Sequence, residues 1–253
     1  MRFKTSVSKL KNEDIIIRGE SLSSLIQTFS FSDAIFVLLA GRKPNPKESS
    51  VFSALLVAIV DHGMGTTSSL TARFVMSGGN SLNTAVGGGI LALGDYHGGA
   101  IENAMLQLKS LSVDEDSLEE VANQYVQRAI RNKETIFGYG HKVYKERDPR
   151  TVTLLSLCHT LDYRSLYIDL ANYIETALAK EKGRMICLNI DGFIAAVLLA
   201  MGFPPALGKG IFIIGRAPGL VAQAIEEHDN EKPVRRLDES EIEYLPDVKS
   251  QTS

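Results

Sequence analysis

"GYGHKVYKERDPR", residues Gly138 to Arg150, gathers one histidine, two glycines and four lysines and arginines into thirteen positions. A solvated charge run has no use for glycine on both sides of Tyr139, and a plain turn has no use for so much positive charge. Glycine allows positive φ and lets a backbone come close to whatever lies beside it. Arginine and lysine attract anions, the first through a planar fork and the second as a point charge. The stretch therefore reads as an anion site around His141, and the rest of the chain is read for what belongs with it.

The 253 residues suffice for one large domain or two smaller ones with a sizeable core. A hydrophobic share of 44% with 23% charged residues is that of a globular chain. The net charge of -3 argues against nucleic acid as a partner, so anion binding has to come from local clustering. Cys158 and Cys187 sit in apolar surroundings without metal-ligand spacing, which predicts buried free thiols in a reducing compartment. The N-terminal stretch has basic residues but no apolar core, so it is not a secretory signal. The longest apolar region, Ile190 to Gly219, is interrupted by Asp191, Pro204, Pro205 and Lys209. It predicts two buried helices joined at Phe203-Pro204-Pro205 rather than a membrane span, and a cytoplasmic protein.

Period-two alternation is confined to "DIIIRG" near residue 14 and to Thr5–Ser8, a small N-terminal sheet. Helical periodicity dominates elsewhere. It predicts one helix over Leu22–Leu39 with Leu25, Phe29, Ala34 and Leu38 inward, and another starting near Pro46. Gly87–Gly89 stand inside a helical pattern, each at a cost of about 1 kcal/mol against alanine, so close helix or ligand approach is expected there. Amphipathic helices follow at "SLEEVANQYVQRAIRN" and "SLYIDLANYIETALAKEKG". The expected fold class is all-α.

Five histidines carry the chemical reading. His159 and His228 lack any motif and read as structural. His62, His97 and His141 each stand beside glycine at an expected helix end, where the backbone field tunes an imidazole. Asp191 lies between two apolar runs, and a carboxylate there is either a helix N-cap or a desolvated base. No His-x-x-x-His or comparable spacing points to a metal, and no phosphate-binding glycine-lysine loop is present.

In this order, "HGGAIENAM", "GYGHKVYKERDPR", "NIDGFIAAVLL" and "IFIIGRAPGLVAQ" resemble the citrate synthase superfamily, over most of the chain from about Asp61 onward. The chain is much shorter than a typical citrate synthase. "KLKNEDIIIRGESLSSLI", "DHGMGTTSSLTAR", "GGILALGDYHGGA" and the "YLP" ending look like the citryl-CoA lyases and the C-terminal lyase module of ATP-citrate lyase. His97 stands as in citrate synthases and stand-alone lyases, whereas the ATP-citrate lyase module tends to lack it.

The resemblance implies an all-α fold with a large domain (1–101 and 190–253) and a smaller hinged one (102–189). It implies cleavage of citryl-CoA to acetyl-CoA and oxaloacetate, or the reverse condensation with thioester hydrolysis in a citrate or 2-methylcitrate synthase; no residue separates the two. His97, His141 and Asp191 match the catalytic positions, with Asp191 exchanging a proton with the acetyl carbon, His97 holding the enol oxygen and His141 meeting the oxaloacetate oxygen. Arg150, Arg216 and His62 match substrate-binding positions, and Arg236 or its neighbour Arg235 the third arginine, supplied across a dimer interface. Gly138, Tyr139, Gly140 and Lys145 match the coenzyme A loop, to which Lys142 either contributes or not. No metal or redox cofactor is implied. A homo-oligomer built from dimers and a separate citryl-CoA synthetase are the implied partners, with neither nucleic acid nor membrane. A non-catalytic partner subunit is disfavoured by the presence of all three catalytic positions.

Overall fold

The computed structural model describes residues 2–111 and 114–245. Pro246 of the Tyr-Leu-Pro ending lies outside the described residues. Three short antiparallel strands open the chain: β1 (Ser8–Lys11), β2 (Asp14–Ile17) and β3 (Glu20–Ser21). The β1–β2 turn places Asn12 and Glu13 at positive φ, which matches the twist of a two-residue hairpin. The strand expected at Thr5–Ser8 is thus displaced, with pairing beginning only at Ser8.

Eleven α-helices follow among the described residues. The single helix expected over Leu22–Leu39 is two, α1 (Leu22–Thr28) and α2 (Phe31–Ala40). Ser30 breaks it: its hydroxyl accepts from Asp33 N–H while the Asp33 carboxylate accepts from Ser30 N–H. That reciprocal cap satisfies donors a continuous helix would have bonded internally, so Ser-x-x-Asp outweighs the apolar periodicity. Leu38, expected inward, is 36% exposed. The next helix, α3 (Pro46–Ala58), starts as expected on proline, with Asn45 and Glu48 forming the same kind of cap.

The chain divides into two compact units, Met1–Asp61 with Leu93–Pro218, and His62–Ala92 with Gly219–Ser253. In the first unit, α6 (Ala100–Lys109), α7 (Leu118–Asn132), α8 (Pro149–Thr160), α9 (Leu166–Lys182) and α10 (Ile190–Ala200) join α3 around one apolar core. The center of that core is α10, whose residues from Gly192 to Leu199 are all buried. Such a helix, apolar on every side, is stable only when neighbours wrap it. The apolar region ends as expected, with a turn at Phe203-Pro204-Pro205 and then α11 (Gly208–Asn230). Cys158 and Cys187 are free and buried, in line with their apolar sequence context.

The second unit is built on α4 (Thr67–Ser77), α5 (Leu82–Leu91) and the end of α11 after Pro218. The close approach expected at Gly87–Gly89 holds for Gly88 and Gly89, whereas a Cβ on Gly87 would meet nothing within 4 Å. A Cβ on Gly88 would lie 3.0 Å from Val75, and one on Gly89 3.0 Å from both the Ser68 carbonyl and Leu220. Close helix approach offsets their propensity cost. No helix among the described residues is long and apolar enough to cross a membrane.

Candidate active site

The site is built where three backbone segments of the first unit meet. Gly138–Gly140 runs antiparallel to Cys187–Asn189: Gly140 N–H donates to the Cys187 carbonyl at 2.7 Å, and Asn189 N–H to the Gly138 carbonyl at 3.0 Å. Gly138 (φ +88°) is wedged against Gly192, and a Cβ on either glycine would overlap the other's backbone. The Tyr139 ring points inward and donates from its hydroxyl to the Ala171 carbonyl at 2.9 Å. These contacts hold the loop that leads into His141 against the start of α10, the helix that carries Asp191.

His141 follows that pairing. Its Nδ1 accepts from Val143 N–H and Tyr144 N–H, each at 3.1 Å, and the Tyr144 ring stacks on it at 4.6 Å. An Nδ1 occupied by two amide donors leaves the proton of the neutral ring on Nε2. Burial and the positive charge of Arg150 lower the imidazole's pKa, with Lys145 adding to the effect and Asp148 opposing it. His141 is therefore a neutral donor through Nε2.

Asp191 is not the N-cap that its sequence position also allowed. Asn189 takes that role, its Oδ1 accepting from Asp191 N–H and Gly192 N–H at 3.0 and 3.1 Å. Asp191 stands in the first turn of α10, where burial pushes its carboxyl up to about 6 against the lowering effect of Arg150 and Arg216. A carboxyl poised there suits proton transfer near neutrality.

Two arginines frame this carboxylate. Arg150 gives Nε and Nη2 to Asp148 in a bidentate pair at 3.0 and 2.7 Å. Arg216, on α11, is 2% exposed; its Nε donates to the Ile59 carbonyl at 2.8 Å, and its guanidinium lies 4.9 Å from the Phe212 ring centroid. Its Nη1 is buried without a hydrogen-bond partner among the described residues. An orphaned guanidinium nitrogen is costly unless a bound anion completes it. Phe212 also meets His97 edge-on, with ring centroids 6.0 Å apart. The turn before His97 is closed by His97 N–H and Gly99 N–H, both donating to the Gly94 carbonyl at 3.0 Å. The close fit of Gly98 against Phe212 leaves no room for a Cβ.

Five of the expected catalytic and substrate-binding residues thus share the first unit, His97, His141, Arg150, Asp191 and Arg216, together with the expected coenzyme A loop residues Gly138, Tyr139, Gly140 and Lys145. Lys145 is exposed and donates to the His141 carbonyl at 3.4 Å, while Lys142 is exposed. His62 and Arg236 belong to the second unit and are exposed. There the structure separates the two adjacent arginines: Arg235 is bidentate to Glu227 at 2.7 and 2.8 Å, leaving Arg236 as the exposed one.

Sequence reading missed Asp148. Its buried carboxylate pairs with Arg150, accepts from Arg150 N–H at 3.0 Å as the N-cap of α8, and accepts from Ile190 N–H at 3.1 Å. Burial alone would raise its pKa, but those bonds and the Arg150 charge hold it below the usual carboxylate range. Asp before Pro was a legible capping signal; the bond to Ile190, 42 positions away, was not. Among the described residues no cluster of His, Cys, Asp and Glu forms a metal-binding group.

The first unit thus carries a neutral imidazole donor, a carboxyl of raised pKa and two guanidinium groups whose charges act on it, a set suited to proton transfer on a polyanionic substrate. A family model described as citrate synthase, C-terminal domain, matches residues 27–237. The chain is 33% identical to a citrate/2-methylcitrate synthase of Bacillus subtilis over 216 residues, 83% of this chain and 56% of that protein. It spans little more than half the length of the curated relatives it matches. The structure of citryl-CoA lyase from Hydrogenobacter thermophilus superposes with a TM-score of 0.90 at 39% identity, covering 97% of this chain and 95% of that one. ATP citrate lyase from Methanothrix soehngenii, in complex with citrate and coenzyme A, shares the fold at a TM-score of 0.80 and 21% identity, over all of this chain and 43% of that one.

Proposed function

The chain belongs to the citrate synthase family, and within it we propose that it is a citryl-CoA lyase, cleaving citryl-CoA to acetyl-CoA and oxaloacetate. The observation that carries this choice is the near end-to-end likeness to a stand-alone citryl-CoA lyase, against synthase relatives of which it spans little more than half.

Cleavage moves one proton off the tertiary hydroxyl and puts another on carbon. His141 Nε2 takes the hydroxyl proton, the carbon–carbon bond breaks, and the electron pair passes into the thioester as an enolate. Asp191 then protonates the enolate carbon. The complex thus starts with Asp191 protonated and His141 deprotonated at Nε2, and ends with Asp191 ionised and His141 neutral. Negative charge on the His141 ring is stabilised by the two amide donors on Nδ1 and by the charges of Arg150 and Lys145. His97 donates to the thioester oxygen as the enolate forms. Arg216 Nη1 binds one oxaloacetate carboxylate, and Arg150 binds the other through the part of its fork that Asp148 leaves open.

His62 and Arg236 complete the carboxylate contacts, Arg236 being supplied by a second copy of the chain. The Gly138–Lys145 loop meets coenzyme A, with residues 102–189 as the hinged domain that closes over it. Acid, base and hydrogen-bond donors suffice, without metal or redox cofactor. A separate citryl-CoA synthetase supplies the substrate, in the cytoplasm.

The second reading, a citrate or 2-methylcitrate synthase, is favoured by the Bacillus subtilis relative. Two assays on purified protein separate them: acetyl-CoA with oxaloacetate followed for free thiol, and citryl-CoA followed for oxaloacetate. A lyase forms oxaloacetate in the second and releases little thiol in the first. Rapid thiol release in the first overturns the lyase reading.

A further inference from the structure

Asn189 uses both ends of its side-chain amide. Oδ1 accepts from Asp191 N–H and Gly192 N–H at the start of α10, and Nδ2 donates to the Gly140 carbonyl at 2.8 Å. Gly140 directly precedes His141, so a single planar amide spans the segments that carry the proton donor and the carboxyl. Capping alone does not require asparagine, since aspartate and serine cap as well. Only a group with an acceptor at one end and a donor at the other makes both bonds. Its neighbours agree with a spacing role: Leu188 N–H is held by the Glu175 carboxylate at 2.6 Å, and Ile190 N–H by Asp148 at 3.1 Å. Residues 188 and 190 are thus fixed from other helices, and residue 189 faces the His141 loop.

We propose that Asn189 is a positioning residue that sets the separation of His141 from Asp191, and this rests on the reading of those two as the proton-transfer pair. Reaching the carbon and the oxygen of one substrate requires both groups at fixed distance, and a misplacement of about 1 Å costs on the order of 100-fold in rate.

The test uses Asn189→Ser and Asn189→Asp, which keep the cap and lose the bond to Gly140. Both are expected to melt within a few degrees of wild type. Turnover of citryl-CoA is expected to fall about 10- to 100-fold with KM changed less than about threefold. The imidazole 15N signals of His141, recorded without substrate, are expected to move in both variants. A cap-only role leaves those signals and turnover at wild-type values and overturns the proposal. Unfolding of both variants overturns it too, since Asn189 would then hold the fold rather than the geometry. If the wild type cleaves no citryl-CoA, turnover is read in the condensation direction, which uses the same pair. If neither reaction occurs, the functional reading fails, and the His141 signals still decide the role of Asn189.

Discussion

Asp191 pairs a raised pKa with a partner imidazole whose pKa is lowered, and the two together set a pH dependence. The reacting form holds one proton fewer than the state with both groups neutral and acidic, whether written as ionised Asp191 with neutral His141 or as its tautomer. Cleavage and condensation interconvert those tautomers, so both directions share one profile. We expect kcat/KM to rise through about pH 6 and then level off, with about a tenfold loss at pH 5. A bell with an alkaline limb near neutrality would show that His141 reacts as the imidazolium. The same shift acts on stability. The folded-state pKa lies above the ordinary value near 4, so ionising Asp191 costs about 3 kcal/mol, absent below about pH 4 and fully present above about pH 6. Asp191→Asn is therefore expected to lower turnover at least about 100-fold while raising the melting temperature at pH 7.5 and leaving it unchanged at pH 4. Calorimetry at the two pH values checks the sign.

At the scale of elements, the N-termini of α8 and α10 share one buried carboxylate, Asp148. Removing it leaves Arg150 without its bidentate partner, Ile190 N–H without an acceptor, and α8 without a cap. Asp148→Ala is expected to lose about 3 kcal/mol of stability, read as a lower urea midpoint at unchanged slope. Its lowered pKa means this contribution is present at neutral pH and fades as pH falls below about 4. The helix content, the proline start of α3 and the glycine end of α9 at Gly183 were legible because capping is local. The break between α1 and α2 was written in Ser30 and Asp33 but masked by the stronger apolar repeat. His97, His141, Asp191, Arg150 and Arg216, the residues of the proposed site, were singled out through motifs. Asp148 and Asn189 act across 42 and 49 positions, and a pairing of that length leaves no trace in spacing.

At the scale of the whole molecule, the second unit is held by charge rather than by a large apolar core. Arg73 and Glu227 are 4% and 1% exposed, and Glu227 accepts from Arg73 at 2.8 Å and from both nitrogens of the Arg235 fork. The chain after α11 is stitched to α4 besides, with Val234 N–H donating to the Ser77 carbonyl at 2.7 Å. Arg235 is consumed in this network, so the residue after it emerges from a fixed point with its guanidinium exposed. If Arg236 serves a substrate held by His141 of another copy, each site draws one residue from either chain of a symmetric dimer. Arg236→Ala and His141→Ala proteins are each expected to be nearly inactive alone. Mixed under subunit exchange, half the dimers are hybrids, and each hybrid holds one intact site and one doubly defective one. Recovery to about a quarter of wild-type turnover is then the expected ceiling for random exchange. No recovery despite exchange demonstrated by mass spectrometry places Arg236 outside a shared site.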